Sequence, residues 1–154
     1  MKKNVTHRCM VDVSAKDKTN RKAIAESIVA LGPKAYKALV EHQSPKGDVL
    51  ETARVSGIMA AKKTAELIAL CHPLELSSVK LSFKLNPKKY QVIAQAEVTY
   101  TGKTGVEMEA LTAVSIAALT IYDMLKWVDH GIEIVRTVLT YKSGGKSGVY
   151  AKEQ

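Results

Sequence analysis

The amino-acid sequence predicts an α+β fold in a single domain. Residues 79–85 and 91–100 both alternate apolar with polar side chains around a four-residue turn, the pattern of an antiparallel hairpin with one face in water. The run 110–122 carries no charge over thirteen residues and has ionisable residues at both ends, which predicts a long buried helix. With 154 residues, of which 46% are hydrophobic, the chain can bury a sizeable core.

The N-terminal third of the chain contains one segment with two interpretations. Residues 10–14, MVDVS, predict a short strand or an extended arm. In residues 21–31, Ile24 and Ile28 have helical spacing, yet the same segment also alternates as a strand does. A Gly-Pro pair ends this segment, and its proline can begin a helix that runs to about residue 40.

A second helix is predicted from Asp48 to about residue 63. Asp48 followed by Glu51 matches an N-terminal capping signal, in which a side-chain oxygen accepts a backbone N–H. Gly57 in the middle costs about 1 kcal/mol against alanine, which is tolerable where another backbone packs closely. The predicted apolar face of this helix is formed by Val49, Ala53, Met59 and Ala60.

The elements combine into a β-α-β-β-α-β order. The long helix extends from about 105 to 127, and a final strand follows from about 132 to 141. If residues 21–31 form a strand, the fold is a ferredoxin-like antiparallel sheet packed on helices; if they form a helix, the sheet loses an edge. The chain is then one domain, 1–154, with a flexible N-terminal arm at about 1–9 and a C-terminal tail at about 143–154.

Composition bounds the partners and the compartment. A net charge of +8 indicates an anionic partner, which is a nucleic acid, a phosphorylated metabolite or a membrane surface. The uncharged run is too short to cross a bilayer, which takes about 20 residues, and the N-terminus lacks the apolar stretch of an export signal. Cys9 and Cys71 have no CxxC spacing and are expected as reduced thiols. These observations predict a cytoplasmic protein.

Ionisable residues at the two ends of the long helix are candidates for chemistry. Glu109 and Asp123 lie within about 40° on the helical wheel but about 21 Å apart along the axis. They therefore serve two ends of a large ligand, or belong to a site shared by two subunits. Asp123 and Lys126, at positions i and i+3, can act as an acid/base pair. The alternative for each residue is that it only complements the helix dipole.

Two glycine-containing loops carry lysines that suit anion binding. Residues 102–105 (GKTG) and 142–148 (KSGGKSG) resemble the end of a nucleotide-hydrolase phosphate loop. Glu97 and Thr140 stand where that motif needs its first glycine, so neither loop is one. Backbone N–H groups beside a lysine still form a nest for a phosphate group.

The segment Cys71-His72-Pro73 suggests metal binding at first sight. The other histidines show no ligand spacing, so no metal site is predicted. His72 lies just after a predicted helix and before a proline, which suits a hydrogen bond to a substrate.

Five segments together form a recognisable pattern: MVDVS at Met10, KGDVL at Lys46, ELIALCHPL at Glu66, GKTGVEMEALTAVSIAALTIYDMLK at Gly102 and KSGGKSG at Lys142. They cover nearly the whole chain, and through them the chain closely resembles the cyclic pyranopterin monophosphate synthases of molybdenum cofactor biosynthesis. CHPL and GVEMEALTA are specific to this family rather than general phosphate motifs.

The resemblance implies a ferredoxin-like fold with residues 21–31 as the first strand. It also implies a homohexamer, a trimer of dimers with active sites at subunit interfaces. The implied lyase reaction converts (8S)-3′,8-cyclo-7,8-dihydroguanosine 5′-triphosphate, a small-molecule substrate, into cyclic pyranopterin monophosphate and pyrophosphate. No nucleic acid, membrane or resident cofactor is expected, and the sequence does not predict Mg²⁺ with the triphosphate.

Roles for individual residues follow from the same resemblance. The implied catalytic residues are Asp123, Lys126 and Lys46. The implied substrate-binding residues are Leu70, Cys71, His72, Glu107, Met108, Glu109, Arg21, Asp12 and Lys142. Three positions depart from the usual family pattern, none of them a proposed catalytic group: Cys9 where histidine is common, Ala69 where proline is usual, and Trp127 where a small residue is usual.

Lysines suit the chemistry of this reaction. Loss of pyrophosphate concentrates negative charge on the leaving group, so lysines aimed at it stabilise the transition state more than the ground state. A lysine, with an ordinary pKa near 10.4, needs burial or a neighbouring cation to act as a base at neutral pH. We therefore expect basic neighbours to lower the pKa values of Lys46 and Lys126 for proton transfer, while Asp123 orients Lys126.

Two other classes of function compete with this interpretation. A basic nucleic-acid-binding module shares the layer topology, but the chain has one Phe, one Trp and six Tyr without the clustered stacking aromatics of RNA-binding sheets. The predicted wet face of the hairpin instead carries Lys80, Ser82, Lys84, Gln91, Gln95 and Glu97. A non-catalytic assembly subunit would leave the pair Asp123 and Lys126 without a purpose.

Overall fold

The computed structural model describes residues 9–153, so residues 1–8 of the predicted N-terminal arm lie outside the described residues. Strands and helices follow the predicted β-α-β-β-α-β order with two additions. Three consecutive helices stand in place of the first helix of that order, and a short fifth strand follows the last predicted strand. In chain order the elements are β1 (Thr19–Ala30), α1 (Gly32–Val40), α2 (Val49–Lys62), α3 (Thr64–Leu67), β2 (Ser78–Asn86), β3 (Gln91–Gly102), α4 (Glu107–Leu125), β4 (Glu133–Ser143) and β5 (Tyr150–Ala151).

Strand β1 lies at the centre of the sheet. The order is β2-β3-β1-β4-β5, with every pair antiparallel. Ala23, Ala25, Ser27 and Val29 are fully buried and alternate with partly exposed neighbours. Residues 21–31 are therefore mainly strand, and the predicted ferredoxin-like α+β fold is confirmed. The strand is central and not an edge, because strand order depends on long-range pairing that a local residue pattern does not encode.

Helix α4 is the core helix of the domain. Ten of its residues are buried, among them Ala110, Val114 and Ile121, which belong to the same core cluster as the buried side chains of β1 and β3. By length and composition alone α4 would be able to cross a membrane. Its buried residues pack inside the domain, so the predicted long buried helix is confirmed as a core element.

Helix α2 packs closely against α4 at Gly57. A Cβ placed on Gly57 would lie 2.6 Å from Leu81 Cδ1 and 2.8 Å from the carbonyl oxygen of Ala113. The lack of a side chain at Gly57 therefore permits the backbones of α2 and α4 to approach closely, as the sequence predicted for a glycine in mid-helix. The predicted apolar face of α2 is wrong at one residue, because Met59 is 52% exposed, while Ala60 and the neighbouring Ala61 are buried.

At the two ends of the chain, the structure decides between the N-terminal alternatives and adds a strand to the C-terminal tail. Residues 10–14 form no strand; the Asp12 carboxylate accepts hydrogen bonds from the backbone N–H and the hydroxyl of Ser14 and so forms a turn. Part of the predicted C-terminal tail is the short strand β5, which pairs with β4 at Tyr141 and Lys142. Helix α3 and strand β5 are each too short to carry a period in the sequence.

Candidate functional site

The predicted site residues lie in two places, at the two ends of α4. Near its C-terminus is the aspartate cluster, which we define as Lys46, Asp123 and Lys126. Near its N-terminus are two adjoining cavities that both contact Glu107. We call them the basic cavity, lined by Arg21, Glu107 and Lys142 among others, and the histidine pocket, lined by Leu70, Cys71, His72, Met108 and Glu109 among others.

The aspartate cluster joins a loop to the end of a helix. Lys46 lies in the loop between α1 and α2, and its Nζ is 2.5 Å from Oδ2 of Asp123. Lys126 caps the C-terminus of α4, and its Nζ is 2.8 Å from Oδ1 of the same carboxylate. These three side chains are about half exposed. Lys46 and Asp123 also line a shallow cavity of about 380 Å³ with an apolar wall from Ile116 and Leu119. One carboxylate therefore holds two lysines at an open surface.

Electrostatics in the aspartate cluster favour the fully charged state. Hydrogen bonds from Lys126 and then Lys46 lower the pKa of Asp123 to about 2. The hydrogen bond to Asp123 in turn raises the pKa of Lys126 above its ordinary value. Within one protomer the pKa of Lys126 is therefore raised and not lowered as expected, because its nearest charged partner is a carboxylate.

The basic cavity, of about 590 Å³, is built by the two glycine-containing loops that flank Arg21. The Arg21 side chain donates to the carbonyl oxygens of Gly102 at 3.3 Å and Gly144 at 3.2 Å, and so ties both loops to β1. Gly144 has φ +98°, and a Cβ there would lie 2.1 Å from the carbonyl oxygen of Asn20, so only glycine fits. Side chains that line the cavity include Lys16, Lys103, Lys142, Lys146 and Ser147.

Glu107 is a carboxylate that partly offsets the positive charge of the basic cavity. Burial raises its pKa, but hydrogen bonding and attraction from Lys142, together with the charge of Arg21, outweigh burial and lower it. Lys142 donates directly to Glu107 Oε1. Thr19 also lines this cavity, and its hydroxyl is buried without a hydrogen-bond partner among the described residues, so it is not exposed to the cavity. The cavity is thus cationic overall, which suits an anionic ligand.

The histidine pocket, of about 340 Å³, combines apolar walls with three groups that can exchange protons. His72 donates from Nε2 to the carbonyl oxygen of Val11 at 2.8 Å, which holds the N-terminal segment across the pocket. Burial, and then the charge of Glu109, raises the pKa of the Cys71 thiol. Glu109 is only 4% exposed, and burial, with a smaller effect of Glu107, raises its pKa to about 7. Glu109 is therefore a carboxyl that titrates near neutral pH.

The buried Glu109 carboxyl predicts a pH-dependent stability. Between pH 4.5 and about 7 the carboxyl is protonated in the folded state and ionised in the unfolded state, so the free energy of unfolding falls as pH rises. The Glu109→Gln variant should lack this pH dependence. The difference between its free energy of unfolding and that of the unmodified chain should therefore shift in favour of the variant by about 3 kcal/mol between pH 4.5 and pH 8. Urea unfolding at several pH values and one fixed protein concentration measures the difference.

Glu107→Gln is the matched comparison, since Glu107 has a lowered pKa. Its ionised form contributes stability above the ordinary carboxyl pKa, and that contribution disappears as pH falls through the lower folded-state value. Glu107→Gln should therefore lose stability relative to the unmodified chain at pH 8. If the free energy of unfolding of Glu109→Gln and that of the unmodified chain change in parallel with pH, Glu109 is not a buried carboxyl that is protonated in the folded state.

The structure groups most of the predicted residues and leaves one outside these groups. Asp12 is exposed in the turn at residues 12–14, and the hydrogen bonds from Ser14 lower its pKa. Lys103 donates to the carbonyl oxygen of Ser14 at 2.7 Å, which brings this turn beside the basic cavity. Lys16, Lys103 and Lys146 also line the basic cavity, and sequence patterns do not single them out as site residues, although Lys103 and Lys146 lie in the glycine-containing loops. Within residues 9–153, no group of three His, Cys, Asp or Glu side chains is arranged to hold a metal ion.

Comparison with known proteins finds a family and close relatives. Residues 10–145 match the model of the MoaC family. The chain is 54% identical over 139 residues to the cyclic pyranopterin monophosphate synthase of Syntrophomonas wolfei, covering 90% of this chain and 88% of that one. It is 50% identical over 144 residues to the protein of the same name from Pelotomaculum thermopropionicum, covering 94% and 85%. A protein of this name from Staphylococcus carnosus is 48% identical over 145 residues, covering 94% and 90%.

Proposed function

Because this chain belongs to the MoaC family, we propose that it catalyses the reaction of the cyclic pyranopterin monophosphate synthases. It is an enzyme of molybdenum cofactor biosynthesis, of the lyase type, with a small-molecule substrate. The substrate is (8S)-3′,8-cyclo-7,8-dihydroguanosine 5′-triphosphate, and the products are cyclic pyranopterin monophosphate and pyrophosphate. The observation that carries this conclusion is the identity of about half of the residues over nearly the whole chain.

The basic cavity is proposed to hold the phosphates. The side chains of Arg21 and Lys142 and the lysines of both glycine-containing loops supply the positive charge that a leaving pyrophosphate needs. Gly144 and Gly145, both with positive φ, turn the backbone of one loop around this cavity. No resident cofactor is proposed, and addition of a metal chelator tests whether Mg²⁺ accompanies the triphosphate.

The histidine pocket is proposed to hold the purine ring during its rearrangement. Leu70 and Met108 provide apolar surface, while His72, Cys71 and Glu109 offer groups that donate or accept protons. A carboxyl with a pKa of about 7, as in Glu109, can do either near neutral pH. Because this pocket adjoins the basic cavity at Glu107, one molecule can place its ring in the first and its phosphates in the second.

The complete site is proposed to form between two protomers of a homohexamer, a trimer of dimers. Within one protomer the aspartate cluster lies about 21 Å along α4 from Glu109, too far for both to reach one reacting atom. Helices α2 and α4 expose the apolar side chains of Val55, Met59 and Leu119, each about half exposed, and Leu119 lines the cavity beside the cluster. Such a patch suits contact with a second chain, whose basic cavity and histidine pocket would then face Lys46, Asp123 and Lys126.

Turnover of the cyclised dihydroguanosine triphosphate tests the proposed function directly. Incubation with the purified chain should release pyrophosphate and form the pterin product in equal amounts. Fractionation of cells should find the protein in the cytoplasm, where we propose that it acts. Salt-dependent binding of unrelated RNA without turnover would contradict the proposal and favour a nucleic-acid-binding module.

Lys142→Ala should mainly weaken substrate binding. The substitution removes a cation from the basic cavity and leaves Glu107 without its hydrogen-bond partner. We expect the KM to rise by about tenfold or more, the equivalent of one lost charge-assisted hydrogen bond, with a smaller change in kcat. Initial rates over a range of substrate concentrations measure both constants. Lys88→Ala, at an exposed lysine in the β2–β3 turn, is the control, and an unchanged KM for Lys142→Ala would count against a phosphate-binding role.

A further inference from the structure

The C-terminal end of α4 carries one carbonyl group with two side-chain partners. The oxygen of Met124 accepts a hydrogen bond from the hydroxyl of Ser44 at 3.1 Å and another from the indole Nε1–H of Trp127 at 3.0 Å. The neighbouring carbonyls of Tyr122 and Leu125 are paired with backbone N–H groups of the helix end. The last turn of a helix leaves its carbonyls without helical partners, and here two side chains satisfy one of them.

Ser44 connects this helix end to the loop that carries Lys46. Its hydroxyl oxygen also accepts the backbone N–H of Lys46 at 3.3 Å, and the N–H of Gly47 donates to its carbonyl oxygen at 3.2 Å. Ser44 is 8% exposed, so water does not readily replace these partners. Met124 directly follows Asp123 in the chain. The hydroxyl therefore fixes the backbone of Lys46 relative to that of Asp123.

Trp127 holds the other side of the same junction. It directly follows Lys126, and its ring is about half exposed, so the hydrogen bond to Met124 and not deep burial is its main anchor. Lysine side chains have many rotamers, and both lysines of the aspartate cluster are about half exposed. Anchored backbones on both sides of Asp123 limit where their ammonium groups can lie.

We propose that Ser44 and Trp127 are positioning residues for the aspartate cluster, acting together through the carbonyl oxygen of Met124. Neither side chain contacts Asp123 in the hydrogen bonds of the described residues, so their effect on the reaction passes through the backbone. The inference rests on the proposed function of Lys46, Asp123 and Lys126. It also gives the tryptophan at position 127 a purpose at a place where the family resemblance expects a small residue.

Ser44→Ala tests this inference by removing one hydroxyl. We expect kcat to fall by about 3- to 10-fold, the rate equivalent of one lost hydrogen bond, while the KM stays within about twofold. Ser44→Thr, which keeps the hydroxyl, should restore kcat. Trp127→Phe, which keeps an aromatic ring but removes the N–H, should also lower kcat. The double variant should lose more than the product of the two single effects, because either side chain alone still pairs the Met124 carbonyl and only the double variant removes both partners.

A titration of the Asp123 carboxyl separates positioning from general stability. In Ser44→Ala, carboxyl-carbon NMR should show the pKa of Asp123 rising from about 2 towards its ordinary value of 3.8, as the lysines move away. Thr64→Val is the matched control, since Thr64 is buried and its hydroxyl donates to the carbonyls of Ala60 and Ala61 at the end of α2. That control should lower stability without changing kcat or the Asp123 titration.

Certain results would overturn the inference. One is a folded Ser44→Ala variant with unchanged kcat and unchanged Asp123 titration. Another is a loss of kcat that Thr64→Val reproduces. If Ser44→Ala does not fold, Trp127→Phe takes its place, because Trp127 is half exposed. An unchanged kcat and an unchanged Asp123 titration in Trp127→Phe would then overturn the inference. The titration needs no substrate, so it measures the positioning effect independently of activity. If the unmodified chain shows no turnover, that result contradicts the proposed function, and the titration still tests the positioning of Asp123.

Discussion

Lys126→Ala should reduce turnover by about 10²- to 10⁴-fold, the usual contribution of a group that transfers protons in the transition state. Lys126 is held 2.8 Å from Asp123, and this carboxylate raises its pKa, so in the free protomer the amine is a cation. A cation can donate a proton or stabilise developing negative charge. Substrate binding should change by no more than about tenfold, as measured by calorimetric titration of the inactive variant.

Two further variants sharpen this experiment. Lys126→Arg keeps a positive charge beside Asp123, but its guanidinium does not release a proton. Low turnover in this variant would indicate that Lys126 transfers a proton. Substantial turnover would indicate that Lys126 only stabilises charge. Lys37→Ala, at an exposed lysine paired with Glu41 on α1, is the matched control and should leave turnover unchanged. A Lys126→Ala variant that binds substrate poorly but keeps its kcat would make Lys126 an anchor and not a catalytic residue.

Mixing two inactive variants should restore activity if the site is shared between protomers. Lys126→Ala damages the aspartate cluster, and His72→Ala damages the histidine pocket, and the two clusters lie at the two ends of α4. In mixed particles, some sites combine an intact aspartate cluster from one chain with an intact histidine pocket from another. Random association at equal amounts gives about a quarter of the unmodified activity, starting from two samples that are each nearly inactive.

The control for this mixing experiment is a double variant that carries both substitutions in one chain. When this double variant is mixed with the unmodified chain, it supplies neither an intact aspartate cluster nor an intact histidine pocket. The activity of the mixture should therefore not exceed the activity of the unmodified chain that it contains. Light scattering should give the mass of a hexamer in each sample. Absence of recovery in particles shown to contain both single variants would place the aspartate cluster and the histidine pocket in separate sites.

Local residue patterns were enough to predict most of the fold. The uncharged run of α4, the alternation of β2 and β3, and the Asp48 cap of α2 each depend on neighbours within one turn or two strand positions. The Asp48 side chain indeed accepts the N–H of Glu51 at 2.8 Å. Two features went beyond local patterns. Strand β1 occupies the centre of the sheet, and the exposed Met59 interrupts the predicted apolar face of α2.

By itself, the sequence determined the fold class, the separation of Glu109 from Asp123 along one helix, and a family resemblance that the comparisons confirm. Only the tertiary structure decided which charges from distant segments meet: it paired Lys46 with Asp123 and Glu107 with Lys142, and it placed Ser44 on the end of α4. The physical reason is distance. Helical and strand periods act over a few residues, whereas a pKa or a hydrogen bond depends on atoms within a few ångströms that come from distant parts of the chain.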